Sequence, residues 1–139
     1  MPSISLARNV HVRLDMKTRT ANVLLVEDDF ALANSMMELL TALGYRARLA
    51  DSASKAYESL NQPNDLDIVL LDLQLGRERG EAVVMRLRAA GTAIPPIIIL
   101  SAMPIKALAD AVEITHACGM LQKPCSVPQL VNAIESVLA

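Results

Sequence analysis

Aromatic side chains are almost missing from this sequence: its 139 residues include no tryptophan, and Phe30, Tyr45 and Tyr57 are the whole aromatic set. Positive charge is also scarce where it would count. The net charge is −2, and residues 1–20 hold Arg8, Arg13, Lys17 and Arg19 against Asp15, so the remaining body is acidic at −5. A body without stacking platforms or phosphate-tracking charge is excluded as a direct nucleic-acid binder. There are only two cysteines, Cys118 and Cys125, seven positions apart. That spacing fits neither a CxxC redox pair nor a zinc ligand set, so reduced structural thiols are expected.

Long apolar runs are absent too. The stretch 94–100 is strand-sized and interrupted by Pro95 and Pro96, well short of the roughly 20 residues that cross a bilayer. The N-terminus intersperses Arg8 and Arg13 among apolar residues and has no unbroken apolar stretch leading to a small-residue cleavage site, so a cytoplasmic protein is expected. No glycine-rich turn follows the first apolar strand; Glu27, Asp28 and Asp29 stand there instead and would repel a pyrophosphate, which excludes a dinucleotide enzyme. Repeats, low-complexity tracts and linkers are absent.

What is present is a chain with 53% hydrophobic and 20% charged residues, enough for one globular domain. From residue 22 onward, short β-branched or leucine-rich runs alternate with segments of helical period, the pattern of a parallel sheet covered by helices. Five βα units fit. Strand 23–26 precedes Asp29 as N-cap of a helix with Leu32, Met36, Leu39, Leu40 and Leu43 on one face and Gly44 at its end. Strand 45–50 and helix 52–60 follow, closed by the turn cluster 61–64. Strand 68–71 leads through a loop over 73–80 to a helix over about 81–90, with Val83, Leu87 and Ala90 facing in, Arg86 and Arg88 facing water, and Gly91 ending it. Strand 97–100 precedes a helix with Ile105, Leu108, Ala109 and Val112 on one stripe. Strand 120–122 precedes a helix opened by a Ser126–Gln129 capping box and carrying Leu130, Ile134 and Leu138. The predicted fold is α/β: a doubly wound, five-stranded parallel sheet of order 2-1-3-4-5, flavodoxin-like.

In such a sheet, ligands bind outside the carboxyl ends of the strands. There the sequence places Glu27, Asp28 and Asp29 after strand 1, Asp72 after strand 3, Ser101 after strand 4, and Lys123 with Pro124 after strand 5. Taken singly these are ordinary residues: Asp29 reads as a helix cap, and a lone serine or Lys-Pro after a strand is usually a turn. Together they carry chemistry. With strands 1 and 3 adjacent, Glu27 and Asp28 come close to Asp72; two carboxylates about 4 Å apart repel by roughly 4 kcal/mol at an effective dielectric near 20, so the group takes up protons or recruits a cation. Mg²⁺ suits it, because that ion binds through one or two carboxylates plus waters and a phosphoryl oxygen. Lys123 and Ser101 supply a charge and a hydroxyl for other phosphoryl oxygens, leaving Asp72 as the nucleophile that would form an acyl phosphate.

LLVEDD at 24–29, VLLD at 69–72, IIILSA at 97–102 and QKPCS at 122–126 strongly resemble the receiver domains of bacterial two-component response regulators, and the separations of 44, 29 and 22 residues between Asp28, Asp72, Ser101 and Lys123 are typical of them. The resemblance covers residues 22–139. It implies that Asp72 accepts a phosphoryl group from a phosphohistidine on a sensor kinase or phosphotransfer protein. Mg²⁺ would be held by Asp28, Asp72 and the Gln74 backbone carbonyl, with Glu27 acting through a metal-bound water. It implies a cis Lys123–Pro124 peptide. Ser101 would move toward the phosphoryl group, so that the face formed by the fourth helix, fifth strand and fifth helix changes its affinity for a downstream partner. Three departures stand out: Met120 replaces the usual aromatic three before the lysine, the 73–80 loop lacks the usual proline, and Cys125 stands where phenylalanine is common. Gln74 and Met103 lie two positions beyond Asp72 and Ser101, where the resemblance implies tuning of how readily water reaches the acyl phosphate.

Residues 1–21 fall outside the resemblance and have three readings: a disordered arm, an extra strand or dimer contact built on Val10, Val12 and Leu14, or a chain that properly starts at Met16. With no effector domain expected after the last helix, the output is expected to pass through binding, by a stand-alone switch or relay intermediate that is not a turnover enzyme. Two other classes compete. A receiver-like adaptor that works without phosphorylation is motivated by Met120 and the altered loop. A Mg²⁺ phosphohydrolase is opposed by Asp72-Leu73-Gln74, which lacks a DxD second aspartate.

Overall fold

The computed structural model describes residues 20–139; the three readings of the N-terminal segment lie, up to residue 19, outside the described residues. Five parallel strands form the sheet: β1 (Asn22–Val26), β2 (Arg46–Ala50), β3 (Ile68–Leu71), β6 (Ile97–Ser101) and β7 (Gly119–Gln122), in the order β2-β1-β3-β6-β7. This is the predicted order 2-1-3-4-5. A two-stranded antiparallel hairpin, β4 (Gln74–Leu75) with β5 (Glu78–Arg79), stands apart from it. The helices are α1 (Phe30–Ala42), α2 (Ala53–Leu60), α3 (Gly80–Ala89), α4 (Ile105–Thr115) and α5 (Val127–Leu138). Among the described residues no helix is long and apolar enough to cross a membrane.

Side chains alternate along each central strand, so a continuous apolar run feeds two cores at once. Leu24, Val26, Val69, Leu71 and Ile99 face α2, α3 and α4, where they meet Ala56, Leu87 and Leu108. Val23, Leu25, Ile68, Leu70 and Ile98 face α1 and α5, meeting Leu40, Leu130 and Ile134. Each such leucine or isoleucine contributes about 2 kcal/mol of burial.

The helix ends were well signalled. Asp29 and Ser52 each accept the N3 backbone N–H of their helix, and Ser126 and Gln129 form the capping box. Gly44 and Gly91 take positive φ just past α1 and α3, where Tyr45 N–H bonds Leu40 O and Thr92 N–H bonds Leu87 O to close the last turn.

Several expectations need correction. Ala90 does not face in: it is the C-cap of α3 and exposed, and Val84 is buried instead. Ile105 and Ala109 are exposed, because the line of α4 that meets the sheet runs Leu108, Ala111, Thr115. Thr115 is buried without penalty because its hydroxyl donates to Ala111 O. The loop over 73–80 contains the hairpin. Arg86 and Arg88 do reach the surface, but both are engaged. The Arg86 guanidinium lies 4.3 Å from the Tyr57 ring centroid, and Arg88 donates to the Ile114 and Thr115 carbonyls at 2.9 and 2.7 Å. Arg88 therefore closes the end of a neighbouring helix, where a cation also meets the negative pole of the helix dipole. Arg88→Ala should destabilise the fold by about 1–2 kcal/mol in urea unfolding, more than a solvated arginine would.

Candidate functional site

The register brings the acidic residues together. Val26 pairs with Leu71 across β1 and β3, so Glu27 and Asp72 are the next residues of adjacent strands. The ladder runs one step further: Asp72 N–H bonds Val26 O, and Glu27 N–H bonds Ala50 O. One carboxylate oxygen each from Glu27, Asp28 and Asp72 lies within 4.8 Å of the others. Glu27 and Asp72 are only 3% and 7% exposed, whereas Asp28 is open to solvent.

Lys123 arrives from the end of β7, where its backbone N–H bonds Ser101 O. Its Nζ lies 2.5 Å from Glu27 Oε1 and 3.0 Å from Asp72 Oδ2. Burial alone would pull the Lys123 pKa down; the hydrogen bonds and charges of Glu27 and Asp72 outweigh it and hold the ammonium above its ordinary value. Burial pushes Glu27 up, and the Asp72 charge adds to this, against the bonds from Lys123 and the Asp29 N–H. The peptide bond Lys123–Pro124 is cis.

Backbone groups of the β4–β5 segment complete the site. Gln74 N–H donates to Asp72 Oδ1 at 3.1 Å, and Gly76 N–H donates to Asp28 Oδ2 at 2.8 Å. Gly76 sits at φ +66, a conformation glycine adopts without strain. Gly80 is required for a different reason: a Cβ there would lie 2.4 Å from the Asp72 carbonyl oxygen, so only glycine lets α3 begin against the backbone of Asp72. None of these glycine roles was read from the sequence, although a glycine in the polar stretch 74–79 is the usual mark of a tight turn.

Ser101 closes β6, is fully buried, and its hydroxyl has no hydrogen-bond partner among the described residues. Asp29 caps α1, as its ordinary reading required. Met120 lies on the exposed side of the edge strand β7. The cysteines are free, and burial pushes the Cys125 thiol up, away from a reactive thiolate.

Glu27, Asp28, Asp72, Gln74, Ala102 and Lys123 line one open cleft of about 400 Å³. A roomier cleft of about 520 Å³, between residues 60–64 and 92–95 at the other end of the sheet, has no titratable side chain. Four carboxylates, those of Glu27, Asp28, Asp29 and Asp72, against the one ammonium of Lys123 leave the first cleft three negative charges in excess. An octahedral Mg²⁺ with bonds near 2.1 Å places opposite ligands about 4.2 Å apart, so the observed oxygen spread needs only small side-chain adjustment. An all-oxygen donor set of this charge fits a hard divalent cation.

Similarity to known proteins agrees with this arrangement. Residues 23–135 match the family model described as the response regulator receiver domain. The alginate biosynthesis transcriptional regulatory protein AlgB of Pseudomonas putida is 33% identical over 108 residues, which are 78% of this chain and 24% of that protein. The swarming motility regulation protein RssB of Serratia marcescens is 31% identical over 116 residues, 84% of this chain and 52% of that one. This chain thus spans about a quarter to a half of these relatives. The non-phosphorylated HemR receiver domain of Leptospira biflexa superposes with a TM-score of 0.72 at 29% identity, covering 86% of this chain and 95% of its own. A CheY-like receiver domain protein from Methanospirillum hungatei, at 20% identity and a TM-score of 0.73 over 86% of this chain and 94% of its own, shares the fold. A sheet wound in this order, with its acidic residues gathered at one rim and the family match running from β1 into α5, leads to one conclusion: the chain belongs to the receiver domain family of two-component response regulators.

Proposed function

We propose that this chain is a phosphorylation switch, or an intermediate in a phosphorelay, whose acceptor is Asp72. The observation that carries the reading is the placement of Asp72 against Lys123 in an open cleft with Glu27 and Asp28. An Asp72 carboxylate oxygen attacks phosphorus in line, the P–N bond of a partner's phosphohistidine breaks, and the imidazole leaves with the electron pair. Lys123 then holds one phosphoryl oxygen. Glu27 keeps the ammonium in place, and Ser101 donates its free hydroxyl to another oxygen. Asp28, Asp72 and the Gln74 carbonyl, with Glu27 behind a water, would hold Mg²⁺, which would supply neutralisation of the charge on the transferring group. Gln74 lines the same cleft and so has access to that place.

The partners follow from this chemistry: a sensor histidine kinase or phosphotransfer protein upstream, and a target that reads the face of α4, β7 and α5. Ile105, Met120 and Val127 expose apolar surface on those elements, which suits a protein partner or a second copy of the chain. The chain acts in the cytoplasm, neither binds nucleic acid directly nor inserts into a membrane, and performs no turnover beyond its own dephosphorylation. The names of AlgB and of related transcriptional regulators suggest gene control as the ultimate output. The rival reading, an adaptor independent of phosphorylation, rests on Met120 standing exposed in β7.

The test is intact-mass analysis after incubation with Mg²⁺ and acetyl phosphate. Wild type should gain one phosphoryl group and EDTA should prevent it; a protein that never gains one is the adaptor. Metal binding has its own readout. Mg²⁺ at about 100 times its Kd should stabilise the fold by about 2.7 kcal/mol, a rise in Tm of roughly 10 °C. Asp28→Asn should remove most of that rise.

A further inference from the structure

Ser101 is fully buried and does not line the Asp72 cleft, which the next residue, Ala102, does; the segment that follows is held at Met103 from three directions. The Met103 side chain packs on the core shared by α2, α3 and α4. Its sulfur lies 3.5 Å from the Arg79 guanidinium at the end of the hairpin, and Arg79 is itself steadied by Glu81 at 3.0 Å. Its carbonyl accepts from Gln122 Nε2 at 2.9 Å. Gln122 is the register partner of Ser101 across β6 and β7, so its side chain reaches past Ser101 and grips the chain two residues on. Meanwhile the Ser101 hydroxyl is buried and, among the described residues, unpartnered, a state that favours departure once a better partner exists.

We propose that Gln122 and Arg79 are positioning residues that latch the 102–104 segment and so set the threshold for the Ser101 movement; this rests on the Asp72 reading. The hairpin also holds Asp28 and Asp72 through the Gly76 and Gln74 N–H groups. The same short element therefore touches the acidic cluster and, through Arg79, the segment that must yield. A phosphoryl group on Asp72 has to pull Ser101 against this hold, and the resting state lasts while the hold is intact. In population terms, the latch biases a two-state equilibrium toward the conformation with the hydroxyl withdrawn.

The test compares wild type with Gln122→Ala, Arg79→Ala and the double variant; both positions are exposed, so the fold should survive. Amide hydrogen exchange over a peptide spanning residues 102–108 should quicken about five- to tenfold in the double variant, as expected from one or two lost hydrogen bonds, with core exchange unchanged. Phosphorylation by acetyl phosphate with Mg²⁺ should become faster by several-fold, the opposite of what structural damage does. Unchanged exchange overturns the latch. Faster exchange with equal or slower phosphorylation overturns its link to Ser101. If neither wild type nor variants gain a phosphoryl group, the Asp72 reading fails, and the exchange result alone still decides whether the segment is held.

Discussion

Asp72→Asn should gain no phosphoryl group from acetyl phosphate under conditions that convert the wild-type chain, and intact mass followed by peptide mapping reads the difference directly. The amide keeps the shape of the side chain but removes its negative charge and its nucleophilic oxygen pair. Glu27 stays bonded to Lys123 and the Asp29 N–H, and Asp28 to the Gly76 N–H, so both carboxylates remain in place and peptide mapping reads whether either takes the group. The substitution also lowers the excess negative charge of the cleft from three to two, so Mg²⁺ should bind more weakly by about tenfold, the effect of roughly 1.4 kcal/mol. A phosphoryl group mapped to another residue of the variant would remove Asp72 from its proposed role.

Lys123→Met should have the second-largest effect, on both stability and chemistry. Without the ammonium, Glu27 and Asp72 face each other largely out of water. Breaking a buried pair in this way costs about 3–5 kcal/mol, and access from the cleft places this site at the lower end. The pH dependence has a definite sign. Glu27 is already raised above its ordinary value of 4.5, so in the variant the penalty is absent at pH values below 4.5 and grows as pH rises through the folded value. The Lys123 pKa is raised above 10.5, so in wild type its contribution is present below that pH and lost as pH rises through the folded value. The stability difference between the two proteins should therefore grow as pH rises from 4.5 through the folded value of Glu27, and shrink again as pH rises above 10.5 through the folded value of Lys123. Mg²⁺ should stabilise the variant more than wild type, because the cleft then has four excess negative charges. Phosphorylation should slow by about a hundredfold, the usual loss on removing one electrostatic stabiliser. Urea unfolding across pH, with and without Mg²⁺, checks the first part, and intact mass over time checks the second.

These residues were legible because the signals were strong and local. A strand such as Ile68–Leu71, buried on both faces, has no reason to contain anything but apolar side chains, so an aspartate directly after it marks the rim. Once alternation specified a parallel sheet, strand order alone put Glu27 beside Asp72. Other features had no local signal. Strands of two residues, such as those of the hairpin, show no periodicity, and Gln74, Glu78 and Arg79 are polar enough to read as loop. The inward line of α4 was misjudged because Ile105 is as apolar as Leu108 and only packing against β6 and β7 selects between them. Arg88 looked solvated because the carbonyls it meets belong to another helix, 26 and 27 positions away. The grip of Gln122 on Met103 is similarly non-local and needs the β6–β7 register to be seen.

Because all five strands run the same way, the two rims of the sheet are chemically unrelated surfaces. Four or five residues at about 3.3 Å each separate them by roughly 15 Å. The far rim, where Gln62 and Ala93 border an uncharged hollow, is thus a safe place to attach a fluorophore or a fusion partner. A dye there would report tumbling and complex formation while leaving the acidic end untouched, which gives an optical handle to a chain that contains no tryptophan of its own.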